Sequence, residues 1–569
     1  IANFVHLLMK TLDKKNIISG VRLAALPLLG GLALSLLAAC ADGYNCDLKV
    51  DEPESVKNAN ELAALDVLKN NVNKSANPNF KFGLSVGAAD YVNKGLTYSI
   101  AKTNFDAVVD NNVMLYSATV ADDGTYNFVS VTDMSIEDSP AVLGGKTIAY
   151  NTVNKNQLNS VISPKFIKGD LKTGTITLAD FEGDQVGATY EMTNGSTGTV
   201  VEDPAGKSGN VLSIGSATDK AKNTYPVINV NLADGLTLGD LKTLTFDIYC
   251  VDDKSLKRPL VIIVDGVRQN FSTLTPDKFG CPLGDWGRKL ITLDITASAI
   301  TEEQKAKTSF TISVGVNVNS SYYYIDNVTA AWSTGVPDRY EEQTAEEKAQ
   351  SLSTNFGAWA KALMTKCAPF MTDYIVVSDP MSDSNEYMQR TADNELACGN
   401  DTANCFFFND YMGDNYVKTI TDSLSKAHSA CGVNTTTVFY VSESGMLDNI
   451  NKAERLVLQI NEWTAAGAKI DGISFDLPLT YSDNATEQTL NKAKVTDLFK
   501  TLAASGKLLR VNAIQMDKAN ADYYKFVVKE YLTLVPAAQR AGIVFGGTGN
   551  LWGNNSRCDV YKAVVEAMK

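Results

Sequence analysis

The sequence predicts an α/β chain: a (β/α)8 TIM barrel with a β-sandwich of jelly-roll type inserted between barrel strands three and four. Three observations predict it. Eight short apolar runs recur along the chain, and most are followed by an amphipathic helical segment. The runs are apolar throughout instead of alternating, as strands buried on both faces of a parallel sheet must be. One interval, residues 168–333, breaks this rhythm: it loses helical periodicity and fills with Thr, Val, Gly and Asn.

The elements follow in order. Lys10, Lys14, Lys15 and Arg22 precede an apolar run at residues 23–39 that ends in Leu37-Ala38-Ala39-Cys40. A basic stretch, a short apolar stretch and small residues before a cut define an export signal. Cys40 directly after the small residues resembles a lipobox, which makes it the lipidated new N-terminus and the membrane anchor. Residues before Met9 read as translation upstream of the start. Residues 1–40 are therefore the signal and 41–54 a polar tether. The barrel begins in residues 55–167, with strands expected at 80–89, 105–112 and 146–151. Residues 168–333 give short alternating runs at 244–249, 260–264, 290–295 and 310–316, separated by turn residues, which read as a sandwich. The barrel resumes in residues 334–569, with strands at 373–380, 436–444, 470–479, 508–515 and 542–549. Helices are expected between them at 413–430, 453–466 and 520–534. Loops on the C-terminal rim of such a barrel build its sites, so the insert is expected beside a ligand groove.

Composition narrows the function. The chain has 569 residues, long enough for two or three domains. Its 51 basic and 65 acidic residues give a net charge of −14, which argues against nucleic acid, whose phosphates require a basic face. Beyond His6 in the signal, His428 is the single histidine, so chemistry needing two histidines is excluded. An exported chain can form disulfides; Cys398 with Cys405, or Cys250 with Cys281, could bridge. No Cys-x-x-Cys or histidine cluster points to a metal.

Several landmarks in order resemble the family 10 glycoside hydrolases, the endo-β-1,4-xylanases, in the lipoprotein form that Bacteroidetes carry with an inserted carbohydrate-binding module. They are Asp51-Glu52-Pro53-Glu54-Ser55-Val56, Ser75-Ala76-Asn77-Pro78-Asn79-Phe80-Lys81, Asp123-Gly124-Thr125-Tyr126-Asn127-Phe128, Ile470-Asp471-Gly472-Ile473 and Ala521-Asp522-Tyr523-Tyr524-Lys525. The resemblance implies two catalytic glutamates, and neither is present. Where the fourth strand of the family ends in Val-Val-Asn-Glu with the acid/base, this chain has Val376-Val377-Ser378-Asp379. Aspartate retracts the carboxylate by a methylene, and a misplacement of about 1 Å costs on the order of 100-fold. Where the seventh strand carries the nucleophile, this chain has Ala513, which removes the covalent intermediate outright. The family's groove residues are also replaced on other strands, by Lys146 to Asn151, by Asp476 and Pro478, and by Phe545 to Gly549. Asn112 is kept, while the neighbouring family lysine is Leu115. Losses on six strands, all at their C-terminal ends, do not follow from one misregister.

What remains is sugar binding by flat aromatic faces and hydrogen bonds. In the barrel the candidates are Tyr150, Tyr116, Trp552, Asn112, Asp379 and Asp476. In the insert, Asp180-Phe181-Glu182-Gly183 and Tyr324-Ile325-Asp326-Asn327-Val328 resemble the first and last strands of carbohydrate-binding modules. Its candidate stacking residues are Trp286, Tyr322, Tyr323 and Tyr225. Alternation sends about half of a strand's aromatics into the core. The Glu182 and Asp326 region could hold a structural calcium; no other cofactor is expected. The leading expectation is a non-catalytic xylan- or β-glycan-binding lipoprotein of a Gram-negative outer membrane, serving a surface glycan-uptake complex. The alternatives are a weak or repurposed glycoside hydrolase on a xylan-type polysaccharide, acting through a new pair among Asp379, Glu443 and Asp476, and a structural spacer.

Overall fold

The structure, a computed structural model, describes residues 52–569 apart from 136–140, 150–151, 154, 208, 234, 295–298, 385, 401, 435 and 554–555. The export signal with Cys40, and Tyr150 and Asn151, lie outside the described residues. The chain forms two compact units: Ile1–Val153 with Trp359–Asn409 and Asp414–Lys569, and Asn154–Ala358 with Asp410–Gly413.

Strands are numbered along the chain. The first unit opens with β1 (Lys81–Ser85), β2 (Ala107–Val109), β3 (Ala141–Leu143) and β4 (Lys146–Ala149). The second unit holds β5 (Lys165–Ile167), β6 (Lys172–Ala179), β7 (Thr189–Glu191), β8 (Thr197–Glu202), β9 (Asn210–Ile214), β10 (Ile228–Asn231), β11 (Leu241–Cys250), β12 (Leu260–Val264), β13 (Val267–Phe271), β14 (Trp286–Thr292), β15 (Ser309–Val316), β16 (Tyr323–Thr334) and β17 (Arg339–Glu341). The first unit resumes with β18 (Asp373–Ser378), β19 (Val438–Glu443), β20 (Gly472–Leu479), β21 (Leu508–Met516) and β22 (Arg540–Phe545).

In the first unit nine strands form one parallel sheet in the order β3-β2-β1-β22-β21-β20-β19-β18-β4. Its two end strands are consecutive in the chain, separated only by Gly144-Gly145. Val142 of β3 bridges Met371, and the Ile375 N–H donates to the Gly145 carbonyl at 3.1 Å. The sheet thus curls round upon itself in the manner of a TIM barrel, its third strand broken by two glycines. A Cβ on Gly144 would lie 2.1 Å from the Asp373 carbonyl oxygen, and one on Gly145 2.3 Å from that of Asp110. No side chain fits where the neighbouring backbones close in.

The strands are apolar because both faces are covered. All six residues of β18 are buried. The helix Ile450–Ala465 buries Ala453, Leu456, Ile460 and Trp463, the three-to-four spacing of a helix with one face on a core. Asn484 and Asn520 cap the helices Ala485–Ala503 and Ala521–Leu534, accepting from backbone N–H groups that have no partner inside the helix. The opposite face of the sheet is unusually polar. Ser378, Ser442, Ser474 and Arg510 sit side by side on successive strands, where branched aliphatics dominate an ordinary barrel. Arg510 is buried, lies over the Tyr440 ring at 4.4 Å and stands 4.0 Å from Asp373.

The second unit contains two antiparallel sheets, β10-β15-β12-β13 and β14-β11-β16-β9-β8-β7, with β6 joined to β16. Leu244, Phe246 and Ile248 of β11 share one core with Ile262 and Val264 of β12 and Ile312 and Val314 of β15. Two sheets pack face to face, as a sandwich does. The chain enters and leaves through an antiparallel ribbon in which Phe166 of β5 pairs with Tyr340 of β17.

Candidate functional site

The end of β18 is where a barrel's chemistry would sit. Asp379 follows the strand with φ of 54°, a left-handed conformation uncommon outside glycine. Hydrogen bonds hold it there: its N–H donates to Ser442 O at 2.8 Å, and its carbonyl accepts from Arg390 Nε at 2.9 Å. The carboxylate accepts from Ser444 N at 2.9 Å and Ser378 Oγ at 2.8 Å, and Lys146 Nζ stands 3.7 Å away. Asp379 is therefore a pinned, ion-paired group.

The cleft beside it is nearly filled. Ile148, Val377, Asp379, Arg390 and Tyr416 line it together with Phe406, Phe407, Phe408 and Asn409. The three phenylalanines are buried. The remaining cavity is about 40 Å³, room for a few waters and too small for a pyranose ring.

A second carboxyl lies close. The Ser444 N–H is shared by Asp379 and by Glu443 Oε1, the latter at 3.3 Å. Burial pushes the Glu443 carboxyl up to about 8, against the opposing pull of Lys452. Two carboxyls with unequal proton affinity resemble an acid and its partner. Access decides against that role. The Glu443 side chain has no exposed surface; Oε1 pairs with Lys452 Nζ at 2.8 Å and Oε2 accepts from Met381 N at 3.0 Å. Lys452 and Arg390 both hold Asp383, and Arg390 also pairs with buried Glu395 at 2.7 Å. Charges that leave water need such partners; this network fixes the loop after β18.

The other barrel candidates scatter. Asp476 pairs in register with Ala513, and it accepts from Asn512 Nδ2 at 3.1 Å. Ala513 offers no polar atom. Tyr116 is buried against Trp359 at 5.3 Å, so it cannot stack on a sugar. Trp552 is half-buried between Phe105 and Tyr561, and Phe545 is buried. Asn112 is exposed in the turn after β2, its N–H bonded to Asp110.

The second unit gathers more. Trp286 of β14, Tyr249 of β11 and Tyr324 of β16 pair across neighbouring strands, on the face opposite Phe246 and Ile248. Their rings meet edge to face, with Tyr249 5.6 Å from both neighbours. Tyr322 extends the row 5.2 Å from Tyr324, its hydroxyl bonded to that of Tyr324. Trp286 Nε1 donates to Asp203 at 2.9 Å, which fixes the indole. One step along the strands lie Arg288, Asp247 and Asp326, with Asn327 Nδ2 bonded to Asp247 at 2.9 Å. Stacking surface beside hydrogen-bonding groups suits a sugar.

Two expected stackers fall elsewhere. Tyr323 and Tyr225 are fully buried; the Tyr323 hydroxyl accepts from Val316 N at 3.1 Å inside the core. Tyr249 takes their place; Tyr324, 8% exposed, is itself buried and braces the neighbouring rings. Period two held the signal: in Tyr322-Tyr323-Tyr324 the outer residues share a face, and Tyr249 follows the inward Phe246 and Ile248. Near Glu182 and Asp326, where a calcium was expected, no group of three or more His, Cys, Asp or Glu is placed to hold a metal ion among the described residues. Glu182 instead accepts from Asn210 N at 3.1 Å.

No family model matches the chain, and no curated protein matches it. Among solved structures, an endo-1,4-beta-xylanase from Caldicellulosiruptor owensensis is similar with 10% identity over 88% of this chain and 99% of its own, TM-score 0.44. Xylanase B from Clostridium stercorarium F9 is similar with 10% identity over 88% and 100%, TM-score 0.42. A Cellvibrio japonicus xylanase in complex with xylopentaose is similar with 13% identity over 68% and 98%, TM-score 0.30.

Proposed function

We propose that this protein binds a neutral β-glycan of xylan type without cleaving it, and that the sugar lies on the outer face of the sandwich. The observation that carries this reading is the aromatic row Trp286, Tyr249, Tyr324 and Tyr322 with polar side chains beside it. The xylan-type ligand rests on the sequence landmarks. Two features of the barrel favour binding over hydrolysis: Ala513 provides no nucleophile, and the cleft at Asp379 has no room for a sugar ring. Retaining hydrolysis requires two carboxyls about 5–5.5 Å apart that both reach the substrate; Glu443 is near Asp379 but sealed. The lipidated Cys40 would hold the protein at the outer membrane surface, beside a glycan-uptake complex.

Affinity electrophoresis in xylan gels, paired with reducing-sugar release on the same preparation, tests this. Trp286→Ala and Tyr249→Ala should each weaken retardation about tenfold, by analogy with the roughly 1–3 kcal/mol of a nucleic-acid base stacked on an aromatic side chain. Tyr225→Phe, in the core, should leave it unchanged. Hydrolysis that disappears in Asp379→Asn would establish instead the second reading, a weak glycosidase, which the shared Ser444 N–H of Asp379 and Glu443 favours.

A further inference from the structure

We infer that Cys250 and Cys281 are a redox-active dithiol that closes into a disulfide within the sandwich, with Cys281 as the attacking thiol. Cys250 ends β11 on its core-facing side and is fully buried; Cys281 retains 4% of its surface. The segment carrying Cys281 runs beside the end of β11: Cys250 bridges Leu283, and its carbonyl accepts from Gly284 N at 2.9 Å. Gly287, opposite Ile248 on β14, makes the space. A Cβ there would fall 2.7 Å from both Cβ and Sγ of Cys281, so the thiol occupies the volume a side chain would need. The Cys281 thiol donates to the Ile248 carbonyl at 3.7 Å, two residues before Cys250 on the same strand.

The charges around the pair divide its roles. Lys289 points to the core-facing side of β14, beside Phe246, and is only 4% exposed. Its ammonium donates to Phe279 O at 2.7 Å and lies 4.2 Å from the Phe279 ring centre; no carboxylate pairs with it among the described residues. Its charge acts on the cysteines through the core. The Cys250 S–H and Lys289 lower the proton affinity of Cys281, opposed by burial and Asp285. Cys250 shifts the other way, through its donation to Cys281, burial, and Asp252 and Asp277. A cysteine of lowered proton affinity next to a second cysteine is a pair that exchanges with disulfides when a local opening admits the oxidant.

With a small-molecule disulfide RSSR as oxidant, the Cys281 thiolate attacks one sulfur, forms Cys281–S–SR and expels RS⁻. Cys250 loses its proton, attacks the Cys281 sulfur and expels the second RS⁻. Two cysteine thiols and one RSSR become one cystine and two RSH. The cystine closes residues 250–281, a loop containing the β12–β13 hairpin.

The test uses the full chain and oxidised glutathione. After incubation, free thiols are alkylated in denaturant and the digest is mapped by mass spectrometry. The peptides of Cys250 and Cys281 should appear cross-linked, about 2 Da lighter than their sum, and separate with dithiothreitol. Recovery of both as alkylated peptides, or a link from either to another cysteine, overturns the inference. Cys250→Ser should trap glutathione on Cys281, whereas Cys281→Ser should leave Cys250 unmodified; the reverse overturns the order of attack. Should either serine variant fail to fold, the cross-link in the unaltered chain still decides. Lys289→Met should slow glutathione exchange, and an unchanged rate removes the lysine from the scheme.

Discussion

Asp326 sits among Asp247, Glu182 and Asp180, and burial with these neighbours pushes its carboxyl up to about 7. A carboxyl raised above its unfolded value binds its proton more tightly in the native state. Its contribution to stability is therefore greatest at low pH and is lost as the pH rises from about 4 to 7. The group is about half in solvent, so the full shift overstates the effect. Asp326→Asn should raise stability at pH 8 by about 1–2 kcal/mol and leave pH 4 nearly unchanged. Urea unfolding at both values checks this; equal effects at both would assign the change to packing. At this scale the sequence showed losses well. The sequence singles out Ala513 and Asp379, but not their surroundings. Nothing local indicates that Phe406, Phe407 and Phe408 close over the cleft, or that Glu443 is sealed by Lys452, 9 positions further along a helix face.

Elements were legible wherever burial on both faces wrote an unbroken apolar run. The eight expected barrel strands fall within a few residues of those observed, because strands buried on both faces read as mostly apolar runs. The third strand is the exception. Its first half, β3, precedes the expected run, since Gly144-Gly145 reads locally as a turn. The close approach of Asp373 and Asp110 is a tertiary fact. Gly144→Ala should cost about 2–3 kcal/mol, as backbone cannot yield to an added methyl group as a side chain can. A thermal melt within a degree of the parent would refute that crowding. The phenylalanine segment gives a further expectation. Phe407→Ala should widen the cleft, yet even with Ala513→Glu and Asp379→Glu added, xylan should release little reducing sugar. The Lys146 ion pair and the Asp476 side would still be foreign to the reaction; robust turnover would show that the barrel needs only its two acids.

For the whole molecule, the sequence revealed a barrel interrupted by a sandwich because the hydrophobic period changes at both joints, while the aromatic row appears only once strands are set side by side. Anchoring belongs to this scale. If Cys40 is acylated, Cys40→Ala should move the protein from membranes to the soluble fraction, since each buried methylene contributes about 0.8 kcal/mol; unchanged recovery with membranes would refute the lipobox. The ribbon at the base of the sandwich has a genetic consequence. Phe166 and Tyr340 face each other across one antiparallel ladder, so the stretch between them departs and returns at points only about 5 Å apart. Gly169 tightens this closure, with no room for a Cβ beside Val336 O. Residues 168–338 thus form a cassette: a crossover that inserts or removes it leaves two ends that a short turn can join, so the whole sandwich can be gained, lost or exchanged in one event.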